Sequence, residues 1–385
     1  MLSIGYLHSI SCYGPSAAST RVRQDDWLRF LGVEATYHYY AGLNNNRPST
    51  IARHAAKISR AEFALRKLDL TGQRVLLSRE ASPFSRGGIE ERLLHRAAHV
   101  VYDLYDALFD DSSPIRRLLR TQDKCQRATA AADVVIAGNN YLANWAEHHS
   151  KDVRVIPSCI DPRDYRPKTN WSITGDVPAM VWLGSPATER YVAKVAPALL
   201  EVNRRTGALL TLISGPHDNA DFGLLNQMIR RIPWNINTFA SAMAKADVAI
   251  APLDDAPYSR GKCAYKLLQY AAAGLPIVWS PVGANQLALQ RFDGLEAQSV
   301  DDWIQGLLQV VTDAPSQRAT RGTTGRTAVK TYYSFNAWES QWCDAGGVTK
   351  DDKPAKAACR SQGPPSEILR GSNVSDPHPD FHARS

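Results

Sequence analysis

Cations gathered at the head of a helix, just behind an apolar strand, are suited to gripping phosphates, and one stretch of this chain has that composition. Residues 246–253 form an apolar β-run ending at a proline and a leucine, and polar residues 254–261 turn the chain. Residues 262–273 contain no proline or glycine and predict a helix. Gly274 stops it as a left-handed cap, Pro276 forbids its continuation, and 276–280 reads as the next buried strand. In such a β-loop-α-β unit the loop at the strand's carboxyl end lines the ligand crevice. The helix turns free N–H groups toward it, and Arg260 and Lys262 add positive charge there, so the segment predicts a diphosphate site.

Other residues have types and positions fit for chemistry. After the first expected strand comes Tyr13-Gly14-Pro15-Ser16, leading into Arg21-Val22-Arg23. Gly14 permits close backbone approach, and a helix starting near Thr20 offers N–H groups to an anion. Gly184 and Ser185, at the end of an expected strand 179–183, offer backbone and hydroxyl donors. Asp103 and Asp106 lie near the carboxyl end of another expected strand, 99–103; they are candidates to bind acceptor hydroxyls or position a proton acceptor, with capping or pairing to Arg79 as the structural alternative. Their Asp-x-x-Asp spacing lacks a third ligand, so no metal is expected. Arg116, Arg120, Lys124 and Arg127 share one face of the expected helix 115–132, either a solvated basic face or a surface for anionic lipid or an acidic acceptor. His8 ends the first strand beside the glycine loop, and no Ser-His-Asp order or H-x-x-x-H helix emerges.

The elements that must position these groups alternate along the chain. Strands are expected at 2–8, 33–39, 74–78, 99–103, 133–137 and 153–156, and helices at 20–31, 50–68, 89–98, 115–132 and 141–148. Three prolines within 156–167 mark a linker. The alternation then resumes, with strands at 179–183, 209–214 and 246–253 and helices at 188–205, 222–232 and 237–245. Residues 316–330 are basic and helical in composition. Such alternation implies two mainly parallel, doubly wound sheets, one per half. The expected domains are 1–157 and 158–330, and the polar stretch 346–385 is expected to be a disordered tail.

A net charge of +7 over 385 residues suits an anionic ligand or surface without choosing one. The six cysteines form no C-x-x-C pair. The N-terminus lacks the pattern of a signal peptide, and no run approaches the ~20 apolar residues that span a bilayer. The reading is a cytoplasmic protein with at most peripheral membrane contact. Basic residues without interleaved aromatics or a motif argue against a nucleic-acid partner.

Lys266-Leu267-Leu268-Gln269-Tyr270-Ala271-Ala272-Ala273-Gly274-Leu275-Pro276-Ile277-Val278 resembles the donor-binding motif of retaining GT-B glycosyltransferases of the group 1 (family 4) type. The opening Gly14-Pro15-Ser16…Arg21-Val22-Arg23, the pair Arg79-Glu80…Val100-Val101-Tyr102-Asp103, and the late Tyr333-Ser334-Phe335…Trp338 also resemble that group. The resemblance covers roughly residues 1–345. It implies two Rossmann-like domains facing across a cleft, with a terminal helix near 331–345 crossing back onto the first. It also implies transfer of a sugar, with retention, from a nucleotide diphosphate sugar to a hydroxyl acceptor, with UDP or GDP the expected nucleotides and no further cofactor. Donor contacts would come from Gly14, Pro15, Ser16, Gly184, Ser185, Arg260, Lys262, Lys266 and Gln269, and catalytic ones from Asp103 and Asp106.

Two family glutamates fall here on Gly261 and Gln269, and Ser185 stands where an arginine is common. Gln269 can still hydrogen-bond a ribose diol. These departures leave two alternatives open: a GT-B nucleotide-sugar epimerase, and a non-catalytic nucleotide-binding partner of a transferase.

Overall fold

Runs such as Val75-Leu76-Leu77, Val134–Ala137 and Val248–Ala251 are apolar at successive positions, so both faces of each strand must be covered. The computed structural model, which describes residues 7–15, 17–43, 48–111, 113–173, 175, 177–215, 222–349 and 352, shows how. The first half builds a parallel sheet from β1 (Leu7–Ser11), β2 (Ala35–Tyr39), β3 (Arg74–Ser78), β4 (His99–Leu104), β5 (Val134–Ala137) and β6 (Val153–Val155), in the order β2-β1-β3-β4-β5-β6. The second half repeats the plan with β7 (Ala179–Leu183), β8 (Leu209–Ser214), β9 (Ile229–Pro233), β10 (Val248–Ala251), β11 (Ile277–Trp279) and β12 (Leu295–Glu296), in the order β12-β11-β10-β7-β8-β9. Each sheet is doubly wound. Val75, Leu77 and Tyr102 feed one core while Leu76, Val101 and Ile136 feed the core on the opposite face. In the second sheet Val181, Ala249 and Trp279 face one core, and Met180, Ile250 and Val278 the other.

Local sequence fixes many of the boundaries. Gly32 ends the helix Asp26–Leu31 in the left-handed region (φ 69°). After the helix Tyr265–Ala272, Gly274 takes φ 74°, its N–H donating to Ala271 O (2.9 Å) while Leu275 N–H donates to Tyr270 O (3.1 Å), which is a Schellman closure. The Tyr270 hydroxyl accepts from Leu183 N–H (2.7 Å) and so pins this helix to the end of β7.

The chain returns to its first half at the end. Ile160 of the linker bridges to Ser334, and the helix Phe335–Gly346 lays Phe335 and Trp342 against Trp27, with ring centroids 4.8 and 5.2 Å apart. Gly346 belongs to this helix, Gly347 O accepts from Arg74 (3.1 Å) and Asp352 pairs with Arg74 at 2.6 Å, so residues 346–349 and 352 of the expected tail pack on the first half; residues 350, 351 and 353–385 lie outside the described residues.

Several expectations need correction. The first strand, expected to end at His8, continues to Ser11 as Leu7–Ser11, and the expected strand residues 2–6 lie outside the described ones. The expected helix 222–232 is a 3-10 turn, Gly223–Gln227, followed by β9; Ile229 and Ile232 find partners on β8 at the sheet edge, which a short apolar pattern does not reveal. The helix 50–68 breaks at His54, and 188–205 breaks at Val195.

The basic face expected on 115–132 does not form. Arg120 takes φ 51° and splits the segment into Pro114–Leu118 and Thr121–Ala131. Lys124 is buried against Glu80 (2.7 Å), which also takes Arg116 (3.1 Å). Burial works to raise the Glu80 pKa, but Lys124 and Arg116 outweigh it and hold the carboxylate below its ordinary range. Two of the four cations are thus drawn into an internal ion-pair network, while Arg120 and Arg127 are exposed and pair at the surface with Asp123 (2.5 Å) and Glu91 (3.0 Å). Among the described residues no helix is long and apolar enough to cross a membrane.

Candidate functional site

In each sheet the chain winds outward in both directions from its first strand, which opens a crevice at the carboxyl ends of β1/β3 and of β7/β10. The two crevices face one another. Between them lies a cavity of about 350 Å³, lined from the first half by Ser19, Arg23, Arg79 and Asp106 and from the second by Trp182, Ser185, Tyr191, Lys262 and Lys266.

The first-half wall is a set of closed ion pairs. A π-helical turn, Arg21–Asp25, rotates Arg23 and Gln24 inward. Arg23 donates to Asp103 from Nη2 (2.6 Å) and Nε (3.0 Å), and also to Ile156 O; both side chains are 2–3% exposed. Burial raises the Asp103 pKa, and Arg23 opposes that only in part. Asp103 does not line the cavity: it holds Arg23, which does. The register Ser78↔Asp103 then places Arg79 at the carboxyl edge, where it adopts φ 64°. Left-handed backbone at a non-glycine residue costs about 1–3 kcal/mol and persists where surroundings enforce it. Here Tyr102 OH donates to Arg79 O (2.8 Å), while the guanidinium donates to Asp106 and to Tyr105 OH (3.1 Å). Asp106 reaches the cavity with both oxygens engaged, Oδ2 by Arg79 and Oδ1 by Lys262 at 2.9 Å. Burial works to raise its pKa, but Lys262 and Arg79 prevail and hold it below the ordinary carboxylate range.

The second-half wall differs. Lys262 precedes the helix, which begins at Tyr265 rather than at 262, and Ala264 caps it with φ 54°. Lys266 thus falls in the first turn and points into the cavity. Its Nζ lies 4.3 Å above the Trp182 ring and 3.3 Å from Thr188 Oγ1, and no carboxylate approaches it among the described residues. Burial, with like-charged Lys262 adding, lowers its pKa to about 7. Gly184 makes room for this group, since a Cβ there would lie 2.2 Å from Trp182 and 2.6 Å from Lys266 Nζ. The one nearby acid in sequence, Glu189, is fully buried and bound by Arg231 (2.8 Å).

Other sequence candidates are placed elsewhere. Gly14 donates its N–H to Leu43 O (2.7 Å), and neither it nor Pro15 lines the cavity; Ala18 and Ser19 do so instead. Ser16 lies outside the described residues. Arg260 is exposed and bound to Asp255 (2.6 Å), contributing only its carbonyl, which accepts from Asn139 Nδ2 (3.3 Å). Gln269 is buried, donating to Tyr165 OH (3.1 Å), and does not line the cavity. His8 stacks on His38, Nδ1 to Nε2 2.9 Å, also away from it.

Gly261 sits on the seam between the halves: a Cβ there would come within 2.5 Å of Ala107 Cβ and 2.8 Å of its backbone nitrogen. No side chain fits while the seam is closed, so a carboxylate at this position is sterically excluded. Trp182, Tyr191 and Arg23 were not singled out by sequence. Only Arg23 carried a signal, as part of Arg21-Val22-Arg23. Among the described residues no cluster of three His, Cys, Asp or Glu side chains is arranged to hold a metal.

No protein-family model matches the chain, and no curated protein matches it. Solved structures do. Anabaena Alr3699/HepE, in complex with UDP and glucose, aligns with a TM-score of 0.62 at 13% identity, over 90% of this chain and 100% of that one. WaaG, a glycosyltransferase of lipopolysaccharide biosynthesis, aligns with a TM-score of 0.59 at 14% identity, over 89% and 100%. TarM aligns with a TM-score of 0.55 at 11% identity; the match takes in 74% of this chain and 57% of TarM. At such identities the likeness is one of architecture, and the chain has the two-domain, Rossmann-like fold of the GT-B glycosyltransferases.

Proposed function

We propose that this chain is a glycosyltransferase that moves a sugar from a nucleotide diphosphate sugar to an acceptor hydroxyl, with retention at the anomeric carbon. The observation that carries the reading is Lys266, a cation in the cleft with no carboxylate partner among the described residues. A half-buried lysine over an aromatic ring, with no carboxylate beside it among the described residues, is held in its charged form by an anion that arrives with the ligand. A diphosphate supplies that charge, and the first turn of the helix Tyr265–Ala272 points the same way. UDP and GDP are the nucleotides we favour, and HepE, of like fold, was solved with UDP and glucose.

Negative charge grows on the leaving diphosphate as the glycosidic bond stretches, and Lys266 stabilises it electrostatically. Lys262 shares its charge between Asp106 and the cavity. With both Asp106 oxygens held by cations, the better proton acceptor is the leaving phosphate oxygen itself. In this scheme Asp103 and Asp106 are positioning residues, the former for Arg23 and the latter for Arg79 and Lys262. The epimerase alternative needs carboxylates free for proton transfer and is the weaker reading.

The test is a thermal-shift series with UDP, GDP, ADP, dTDP and their sugars, followed by NMR of the sugar released from the stabilising donor in slow hydrolysis. One nucleotide should stabilise the protein by about 2.7 kcal/mol at a hundredfold excess over its Kd. The first-formed sugar should keep the donor's anomeric configuration. No stabilisation by any of them overturns the proposal, and release of the opposite anomer overturns retention. A second reading, a non-catalytic nucleotide binder, is favoured by the exclusion of a side chain at Gly261. Stabilisation with neither hydrolysis nor transfer would select it.

A further inference from the structure

Away from the cleft, the helix Ala55–Lys67 stands out by its unbalanced charge. At 100° per residue, Ile58, Glu62 and Leu65 point inward, and Ile58 and Leu65 are buried. The outward arc carries Lys57, Arg60, Phe63, Arg66 and Lys67, all exposed. None of the four cations takes part in an ion pair among the described residues. Glu62, the helix's one acid, stands on the groove side of the helix rather than on the outward arc, its Oε1 accepting from Tyr40 OH (2.8 Å) and from Ser82 Oγ. By contrast, on the helix Ala196–Thr206 Arg204 and Arg205 are both held by Glu201, at 2.7 and 2.6 Å.

Amid these cations sits Phe63, 59% exposed, with Lys67 Nζ 4.3 Å above its ring. Beside it runs a groove of about 840 Å³ whose walls include Phe63, Phe84 and Ile89 together with Arg66, Arg86 and the hydrogen-bonded Glu62.

We propose that the outward face of the helix Ala55–Lys67, with the groove beside it, is a docking surface for an anionic lipid bilayer. Charge complementarity selects the occupant. The cations face outward without internal partners, and the exposed aromatic ring is an apolar anchor of the kind that enters the headgroup layer. A sulfated polysaccharide would satisfy the charges but not the ring, and a nucleic acid, whose bases could stack on the ring, is distinguished by the test below. The surface lies on the carboxyl edge of the first sheet, because one loop after β3 supplies both Arg79 to the cleft and Phe84 and Arg86 to the groove. A bilayer held there would present headgroups beside the cleft. The inference stands apart from the reading of the cleft and does not depend on nucleotide binding.

The experiment is co-sedimentation of the full chain with vesicles of phosphatidylcholine alone or mixed with phosphatidylglycerol. Binding is expected to the mixed vesicles only and should weaken with salt. Each basic residue near an anionic surface contributes about 1 kcal/mol, roughly fivefold, so Lys57→Glu/Lys67→Glu should weaken binding at least about thirtyfold. Arg204→Glu/Arg205→Glu changes the net charge equally and should leave binding within a few-fold of the parent. Phe63→Ser should weaken binding to the mixed vesicles while keeping its salt dependence. All these positions are exposed, so melting temperatures should stay close to the parent's. Absence of binding to the mixed vesicles overturns the proposal. So does equal loss in the two charge-reversed variants, or binding of RNA or heparin without binding of vesicles.

Discussion

The two walls of the cleft handle charge in opposite ways. On the first-half wall each charged group meets its opposite: Arg23 with Asp103, and Arg79 with Asp106. On the second-half wall Lys262 is tied across the seam to Asp106, and Lys266 is left with an aromatic face and a hydroxyl. A wall of closed pairs is rigid and needs no ligand. A wall with an unpaired cation is complete only when an anion arrives. In the proposed function, this contrast gives donor recognition to the second half and leaves the first half's ion pairs to hold shape.

The sharpest way to break the comparison is to open a first-half pair. Asp103→Ala leaves the Arg23 guanidinium buried without its partner, and it should cost about 3–5 kcal/mol of stability, read by denaturant unfolding. A loss below 1 kcal/mol would mean the pair does not stiffen the wall. Next in size, Lys266→Ala should weaken nucleoside diphosphate binding by roughly 3 kcal/mol, about a hundredfold, in calorimetry. It should leave the melting temperature of the unliganded protein close to the parent's or higher, because it removes a half-buried lysine that has no carboxylate partner among the described residues. A lowered melting temperature with unchanged binding would reverse the two walls' roles.

Gly261→Ala tests the seam. Its Cβ would fall 2.5 Å from that of Ala107, so the halves must separate or strain, at about 1–3 kcal/mol, read as a lower melting temperature and weaker nucleotide affinity. The smallest effect is that of pH. The Lys266 pKa of about 7 lies below that of a free lysine, and a bound anion must raise it, so binding takes up a proton. Affinity for a nucleotide sugar, whose diphosphate does not titrate in this range, should be flat below about pH 7. Above that it should fall by up to about tenfold per pH unit, until the pKa of the complex is reached. Lys266→Arg, always charged, should flatten the profile, and a profile unchanged by that substitution would remove Lys266 from the site.

Much of the fold was legible because its signals are local. Strands 74–78, 179–183 and 209–214 match their expected limits, since a continuous apolar run between turns has few other uses. The miss at 222–232 has a physical cause as well: two isoleucines three residues apart suit a helix face or an edge strand, and β8 decided between them. The site was less legible. Lys262, Lys266, Ser185 and Asp106 do meet in the cavity, but Gly14, Pro15, Arg260 and Gln269 do not line it. Arg260 was captured by Asp255 and Gln269 by Tyr165, partners that no spacing rule brings to notice.

By itself the sequence determined two α/β sheets, the loop-helix-strand unit with its glycine cap, and the supply of cations near a strand's carboxyl end. Those follow from periodicity, capping and composition, which act over a few residues. Only the tertiary structure decided which cations are free. That Lys124 is consumed by Glu80 while Lys266 is not depends on a partner 44 residues away in one case and, in the other, on there being no acid within reach among the described residues. Long-range pairing assigns each charge its neighbour, and a charge's neighbour settles whether it supports the fold or waits for a ligand.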